Sequence, residues 1–425
     1  MRNQLAALSL LLSAVLVISL LALSGAILLV AVPLLLYLLA SWLWAPEVSL
    51  EVHRDLSAHR VGPGTEVTVT VTVRNNGESL RELVLTDGVP PGLTVTTGKQ
   101  RMMTALAADA QAVFSYTVAG DRGSFEFGPI VAEAAGDFPL RGTRHAFDIR
   151  QELVTLPNHR ALSRIPIAPR RMLVYSGILP SRTGGEGTEF FDVRLHDGRG
   201  PARHINWRLS ARRPGEVYVN EFQEERVADI GIILDARART YPQTHGRPLF
   251  EYAASAAASL ADVLLDQGNR VGFLAYGLSL DWTTPGFGRA QKQRLLTRIA
   301  RISTGQSHVF FRLDAIPDRL LPAGSQLIVV SPLAPEDVDS IARLLAIGYA
   351  VLVVSPDPVS YVPGADPAPV EVAARRIAVA ERRVLIHRLR HAGIPVVDWN
   401  TRTPFDAAVS GALGQIQAAW RRRSR

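Results

Sequence analysis

The chain contains no cysteine. Disulfides, thiolate zinc sites, iron–sulfur clusters and cysteine nucleophiles are excluded by that absence alone. The absence fixes no redox compartment, since a chain without thiols suits cytosol and cell exterior equally. Lysine is almost missing, confined to Lys99 and Lys292, so nearly all positive charge is guanidinium. The excess of base over acid is modest: 46 Lys and Arg less 39 Asp and Glu gives +7. That favours an acidic partner or an anionic surface and is too small to define a nucleic-acid footprint. No His-Glu-x-x-His, Gly-x-Ser-x-Gly or complete phosphate-loop motif occurs, which argues against a zinc hydrolase, an α/β-hydrolase and a P-loop enzyme. No solenoid or propeller repeat is visible. At 47% apolar and 20% charged residues, the 425 residues describe a folded chain of two or three domains.

What is present begins with an uncharged apolar stretch from Leu5 to Trp44. A membrane-spanning helix needs about 20 apolar residues, so this length predicts two spans rather than one. Ser24-Gly25 supplies a turn, Trp42 and Trp44 an interfacial anchor, and Pro46 a stop. A signal peptide has an apolar core of only about 7–15 residues, too short to match. With Arg2 before the first span and His53, Arg54 and Arg60 after the second, the expectation is a multi-pass protein of the inner or plasma membrane. Its soluble domains then lie in the cytoplasm, with lipid as one partner.

Residues 46–150 read as strands. Thr65–Arg74 alternates with period two, as a half-buried strand does, and Asn75-Asn76-Gly77 is a turn. Further runs at Leu80–Thr86, Leu93–Thr97 and Gln111–Val118 predict a β-sandwich, a spacer or docking module without a catalytic cluster. From residue 228 onward strand and helix patterns alternate, starting with the apolar run that ends at Asp235. This predicts a doubly wound parallel sheet with ligands, if any, beyond the carboxyl ends of its strands.

Between them, residues 151–227 carry a proline-marked linker and an arginine-rich block. On a helix, Arg203, Trp207 and Ala211 share one face and Arg208 and Arg212 another, with Trp207 packed inward. The block reads in two ways: a partner-binding surface, or an internal network of ion pairs and caps.

The run Glu189-Phe-Phe-Asp-Val-Arg194, Asp197-Gly198, Arg203-His-Ile-Asn-Trp207 and Ser210-Ala-Arg212 resembles the signature of the domain of unknown function 58 family. The resemblance extends over the order of segments: residues 1–45 as two transmembrane helices, 46–150 as a β-sandwich, 151–227 as the signature block, and 228–425 as a von Willebrand factor A-like α/β domain. It implies a non-enzymatic scaffold acting with a MoxR-type AAA+ ATPase, and with other von Willebrand factor A proteins, in assembly or maturation of complexes. The partner-binding residues it implies are Arg194, Asp197, Arg203, Trp207, Ser210 and Arg212. This chain has Leu195-His196 where an aromatic is more usual in the family, and Asp197-Gly198 in place of the usual Gly-Asp order.

A von Willebrand factor A metal site places Asp-x-Ser-x-Ser after its first strand, offering oxygen ligands to a hard cation. Here Asp235-Ala-Arg237-Ala-Arg239 puts guanidiniums at both hydroxyl positions. The expectation is a degenerate site without metal or other cofactor, with Asp235 paired to Arg237 or Arg239 or capping the next turn. Two rival readings remain. One is a hydrolase using Asp235 and Asp398, with Arg194 or Arg203 holding an anion. The other is an outward-facing, metal-dependent adhesion protein.

Overall fold

The computed structural model describes residues 2–23, 25–43, 48–135, 143–162, 165–169, 172–174, 180–196, 204–213, 215–242, 248–307, 312, 313, 316, 320–361 and 369–423. The chain divides into two compact units, residues 1–156 and 157–425.

The first unit opens with helices α1 (Arg2–Leu21) and α2 (Gly25–Leu43), which contact each other. Here the expectation of a transmembrane hairpin is corrected: among the described residues no helix is long and apolar enough to cross a membrane. The multi-pass membrane location, and the cytoplasmic placement built upon it, lose their basis with the spans. Of the residues assigned to turn, anchor and stop, Ser24, Trp44 and Pro46 lie outside the described residues.

Eleven strands follow among the described residues: β1 (Leu50–Leu56), β2 (Arg60–Val61), β3 (Val67–Asn75), β4 (Leu80–Thr86), β5 (Leu93–Thr97), β6 (Arg101–Leu106), β7 (Gln111–Gly120), β8 (Gly123–Glu126), β9 (Ile130–Ala135), β10 (Thr143–Phe147) and β11 (Glu152–Thr155). They form sheets in the orders β1-β3-β7-β5 and β10-β9-β4-β6, and a small third sheet, β2-β11-β8. The alternation in β3 decides its faces: Val67, Val69, Val71 and Val73 are fully buried, and the threonines between them point away. These valines pack with Leu83 and Leu85 of β4 and Ile130, Ala132 and Ala134 of β9 to make one core. Into it project two charged side chains that the pattern does not announce, Arg54 of β1 and Asp87 just after β4.

The second unit holds β12 (Met172–Val174), β13 (Pro180–Leu195), the one-turn helix α3 (Trp207–Ser210) and the eighteen-residue strand β14 (Tyr218–Asp235). Then come α4 (Leu249–Asp266), β15 (Arg270–Tyr276), β16 (Leu280–Gly286), α5 (Gly288–Arg301), β17 (Gln326–Val330), α6 (Asp337–Ile347), β18 (Ala350–Pro356), α7 (Pro358–Tyr361), α8 (Pro369–His391), β19 (Val396–Trp399) and α9 (Phe405–Arg423). The sheet order is β16-β15-β14-β17-β18-β19. Strands β15, β14, β17, β18 and β19 run parallel, and β16 is antiparallel to β15 at the edge. Buried on both faces, the central strands carry continuous apolar runs, Leu327–Val330 and Ala350–Val354 among them.

The von Willebrand factor A-like description is corrected as well. The first half of β14 pairs antiparallel with β12 and β13, so the sheet is mixed and extended beyond a simple doubly wound unit. The loop after β14 is organised around a buried arginine rather than around ligating hydroxyls. What stands is a set of small, mainly antiparallel sheets followed by a mixed, mainly parallel α/β sheet.

Candidate functional site

In an open α/β sheet the place for a ligand is the crest beyond the carboxyl ends of the parallel strands. Here that crest carries Asp235 at the end of β14, Ser331 just past β17, Ser355 in β18 and Asp398 in β19. Asp235, Ser331 and Ser355 are fully buried. Two arginines, Arg237 and Arg382, satisfy the crest.

Arg237 is two residues beyond Asp235 and 2% exposed. Its Nε donates to Asp235 Oδ1 at 2.9 Å and its Nη2 to Asp235 Oδ2 at 2.8 Å. The other side of the fork serves Asp337, the first residue of α6: Nη1 donates to Oδ1 at 3.0 Å and Nη2 to Oδ2 at 2.7 Å. One guanidinium thus bridges two fully buried carboxylates, each held bidentately. Neutral donors share the remaining lone pairs. The Arg237 amide donates to Asp235 Oδ1 at 2.9 Å, the Ser331 hydroxyl to Asp235 Oδ2 at 2.7 Å, and the Ala334 amide to Asp337 Oδ2 at 2.7 Å. Ser331 Oγ also accepts from the Leu333 amide, where the backbone turns through a φ of +71°. A left-handed leucine is costly, of order 1–3 kcal/mol, and persists where its surroundings dictate it.

Burial by itself would weaken the charge on Arg237. The hydrogen bonds it donates to Asp235 and Asp337 outweigh that, so its proton is held more tightly than in a free arginine. Burial pushes the Asp337 carboxyl up, against the pull of Arg237. With two guanidinium nitrogens and one amide donating to it, the ionised form is the one the geometry holds. Above this layer Arg239 pairs with Glu336, the N-cap residue of α6; both are about two-fifths exposed. Glu336 is shifted down by a hydrogen bond to its own backbone, opposed by burial and reinforced by Arg239.

The second arginine comes from α8. Arg382 Nη2 donates to Asp398 Oδ1 at 2.6 Å and to the Ser355 carbonyl at 3.1 Å. Its Nη1 donates to the Pro332 carbonyl at 3.2 Å, and its Nε lies 3.1 Å from Asp357 Oδ1. Arg382 lies on the buried face of α8 with Ile386 and Leu389, at i, i+4 and i+7. A lone arginine in that apolar register is a signal readable in sequence. Asp337, one hundred residues from Arg237, left no such signal.

The hydrolase reading loses its acids here, for Asp235 is held by Arg237 and Asp398 by Arg382. A divalent cation does not fit either. The donors are the hard oxygens it prefers, but a guanidinium stands between the two carboxylates. The metal-dependent adhesion reading therefore has no site at this crest.

The arginine block lies at the other end of β14. Arg194 is exposed on β13, opposite Val219. Asp197 and Arg203 lie outside the described residues. Helix α3 is a single turn, capped by Asn206, whose Oδ1 accepts from the Leu209 amide at 3.0 Å and whose Nδ2 donates to Asn220 at 2.8 Å. Ser210 Oγ donates to the Asn206 carbonyl at 2.9 Å and accepts from the Tyr218 amide at 2.9 Å, tying the turn to β14. Because the helix ends there, Trp207 does not pack inward as the helical spacing suggested; it is 67% exposed. Arg208 and Arg212 are exposed beside it, while Arg213 lies over the Tyr218 ring and its Nη1 donates to the phenol oxygen at 2.8 Å.

The fold and this pair of features define a class: a mixed α/β domain with a guanidinium-filled crest and an exposed arginine–tryptophan turn. The family model described as Protein of unknown function DUF58 matches residues 194–360, a span that includes the arginine–tryptophan turn and the Arg237 part of the crest, with Arg382 and Asp398 beyond it, and supports the family resemblance. No curated protein matches the chain. Among solved structures, it aligns with the human zinc 2-glycoprotein–prolactin inducible protein complex at 13% identity and TM-score 0.19, covering 24% of this chain and 92% of that one. It aligns with native alpha-2-macroglobulin from Escherichia coli at 15% identity and TM-score 0.21, covering 26% and 24%. For the CARDB domain of a Pyrococcus furiosus protein the values are 13% and 0.19, covering 26% and 94%. Likenesses this slight carry no argument about fold or function.

Proposed function

We propose that the chain is a non-enzymatic protein-binding scaffold whose docking surface is the arginine–tryptophan turn. The observation that carries this reading is Trp207, 67% exposed at the start of a turn fixed to β14 through Asn206 and Ser210. Tryptophan and arginine are the residues most enriched at binding hot spots, and a preorganised turn loses little entropy on docking. Arg208 and Arg212 make no ion pair among the described residues, which leaves their charge for an acidic partner. The resemblance to the domain of unknown function 58 family points to a MoxR-type AAA+ ATPase, or a protein assembled with one, as that partner. The engagement of Asp235 and Asp398 by arginines further supports a binding role over a hydrolytic one.

The test is affinity capture with the full-length tagged chain, followed by mass spectrometry, with Trp207→Ala and Arg212→Ala beside the wild type. An AAA+ ATPase is expected with the wild type and reduced at least tenfold with Trp207→Ala, since a hot-spot side chain contributes about 2 kcal/mol or more. Unchanged recovery with both variants, or no ATPase from folded wild type, overturns the proposal.

A further inference from the structure

We infer that Arg237 is a built-in cation: its guanidinium fills a nest of oxygen ligands that would otherwise take a divalent metal ion, and so holds the crest of the sheet in one state whatever the cation concentration. The inference does not rest on the protein-binding reading, because it concerns the crest and not the arginine–tryptophan turn.

The donor set is that of a hard-cation site. Asp235 comes from the end of one strand, Ser331 from just past its neighbour, and Asp337 from the start of the following helix. All three are fully buried, and all offer oxygen. A single atom, Arg237 Nη2, is 2.8 Å from Asp235 Oδ2 and 2.7 Å from Asp337 Oδ2. Ser331 Oγ reaches the same Asp235 oxygen at 2.7 Å. That nitrogen touches one oxygen of each carboxylate, as a cation with ligand distances of about 2.0–2.6 Å would.

The charge balance points the same way. Two carboxylates face one guanidinium, an excess of one negative charge in a buried site, where unpaired charge is heavily penalised. A divalent ion would neutralise the pair fully; the arginine does so in part and leaves the Ser331 hydroxyl and the Ala334 amide to share the rest. The backbone fixes the arginine in place. The Ala238 amide donates to the Gly305 carbonyl at 2.8 Å and the Gly305 amide to the Ala236 carbonyl at 2.9 Å, bracketing residue 237. A Cβ on Gly305 would lie 2.7 Å from the Leu278 Cβ, so this bracket is tight. A tethered charge cannot diffuse away, and the crest is thereby independent of chelators and of metal supply.

The experiment measures thermal unfolding of the full-length chain in EDTA and in Mg²⁺, Ca²⁺ or Mn²⁺, for the wild type, Arg237→Ser and Arg237→Ser/Asp337→Asn. The wild type is expected to melt at the same temperature in every condition. Arg237→Ser leaves two carboxylates and two hydroxyls around an empty centre. It is expected to melt lower in EDTA and to recover by about 3–6 °C when one of these cations is present at ten times its dissociation constant. The double variant, one carboxylate short, is expected to lose most of that recovery. If Arg237→Ser does not fold in EDTA, it is prepared in 5 mM Ca²⁺ and then stripped, and loss of its circular dichroism on chelation is the supporting result. A wild type stabilised by any of the three cations, or an Arg237→Ser variant indifferent to all of them, overturns the inference.

Discussion

Replacing Asp87 by alanine isolates a charge inside the first unit, and the cost follows from the contacts. Arg54 has no exposed side-chain surface. Its Nε donates to Asp87 Oδ2 at 3.1 Å and its Nη2 pairs with Oδ1. Two further donors go to the carbonyls of Ile149 and Gly128, both at 2.7 Å, and its guanidinium lies 5.0 Å from the centre of the Phe127 ring. Asp87 also accepts from the Tyr116 hydroxyl at 2.6 Å. Removing the carboxylate leaves a buried cation facing dipoles only, which costs about 3–5 kcal/mol. An orphaned tyrosine hydroxyl adds about 1 kcal/mol. The total of about 4–6 kcal/mol is a large share of the stability of any single domain. Hydrogen exchange read on peptides covering Val67–Asn75 and Gln111–Gly120 reports the opening of this core. At tenfold for each 1.4 kcal/mol, those amides are expected to exchange about 10³–10⁴ times faster in Asp87→Ala. The triple variant Arg54→Met/Asp87→Leu/Tyr116→Phe removes all three polar groups together and is expected to return most of the protection, since an apolar replacement of a buried pair is often neutral. Exchange in Asp87→Ala within tenfold of the wild type would refute the reasoning. So would a triple variant as labile as the single one.

The same network sets a response to alkali. Burial, then the hydrogen bond to Asp87, raises the Tyr116 phenol above its ordinary value of 10.0, so the unfolded chain loses that proton first. Its contribution to stability is complete below pH 10 and falls as pH rises beyond it; denaturation midpoints at pH 9 and pH 11 are expected to differ less in Tyr116→Phe than in the wild type. Gly88→Ala places a Cβ 2.9 Å from the Gly128 backbone and 2.9 Å from the Pro129 carbonyl oxygen; a loss of about 1–3 kcal/mol in urea unfolding is expected, because neither backbone can yield. Asp398→Asn at the crest is expected to cost no more than about 1 kcal/mol by the same assay, because the Asp398 side chain is 43% exposed and solvent screens its pairing with Arg382.

The secondary structure was legible wherever burial imposed a period. The Val/Thr alternation of β3 marks its buried face, and Leu80–Thr86 forms the strand expected of it. The apolar run into Asp235 and the strand–helix alternation after it come from burial on both faces of a parallel sheet. The apolar N-terminal stretch forms the two helices α1 and α2, but among the described residues neither is long and apolar enough to cross a membrane. Helix α3 was overextended: spacing cannot show that Asn206 and Ser210 would close the turn after four residues and leave Trp207 outside. At the crest, the pairing of Asp235 with Arg237 is local and could be anticipated. The bond from Arg237 to Asp337 depends on how the sheet brings β14 beside β17, which no local pattern records. Arg54 and Asp87 were hidden for the same reason, as each looks like an ordinary surface charge until its strand is placed.

Strand β14 begins beside the arginine–tryptophan turn, with the Asn206 amide donating to the Tyr218 carbonyl, and ends on the carboxylate clasped by Arg237. Its eighteen residues make a rod about 60 Å long at about 3.3 Å per residue. Over Ile230–Leu234 that rod is laced on both sides to parallel neighbours, β15 and β17. A partner tugging on the turn would load the rod lengthwise, and the flanking hydrogen bonds would be strained together in shear rather than peeled one after another. The arginine block, set apart in sequence, is thus mechanically one end of a strand whose other end is gripped from both sides.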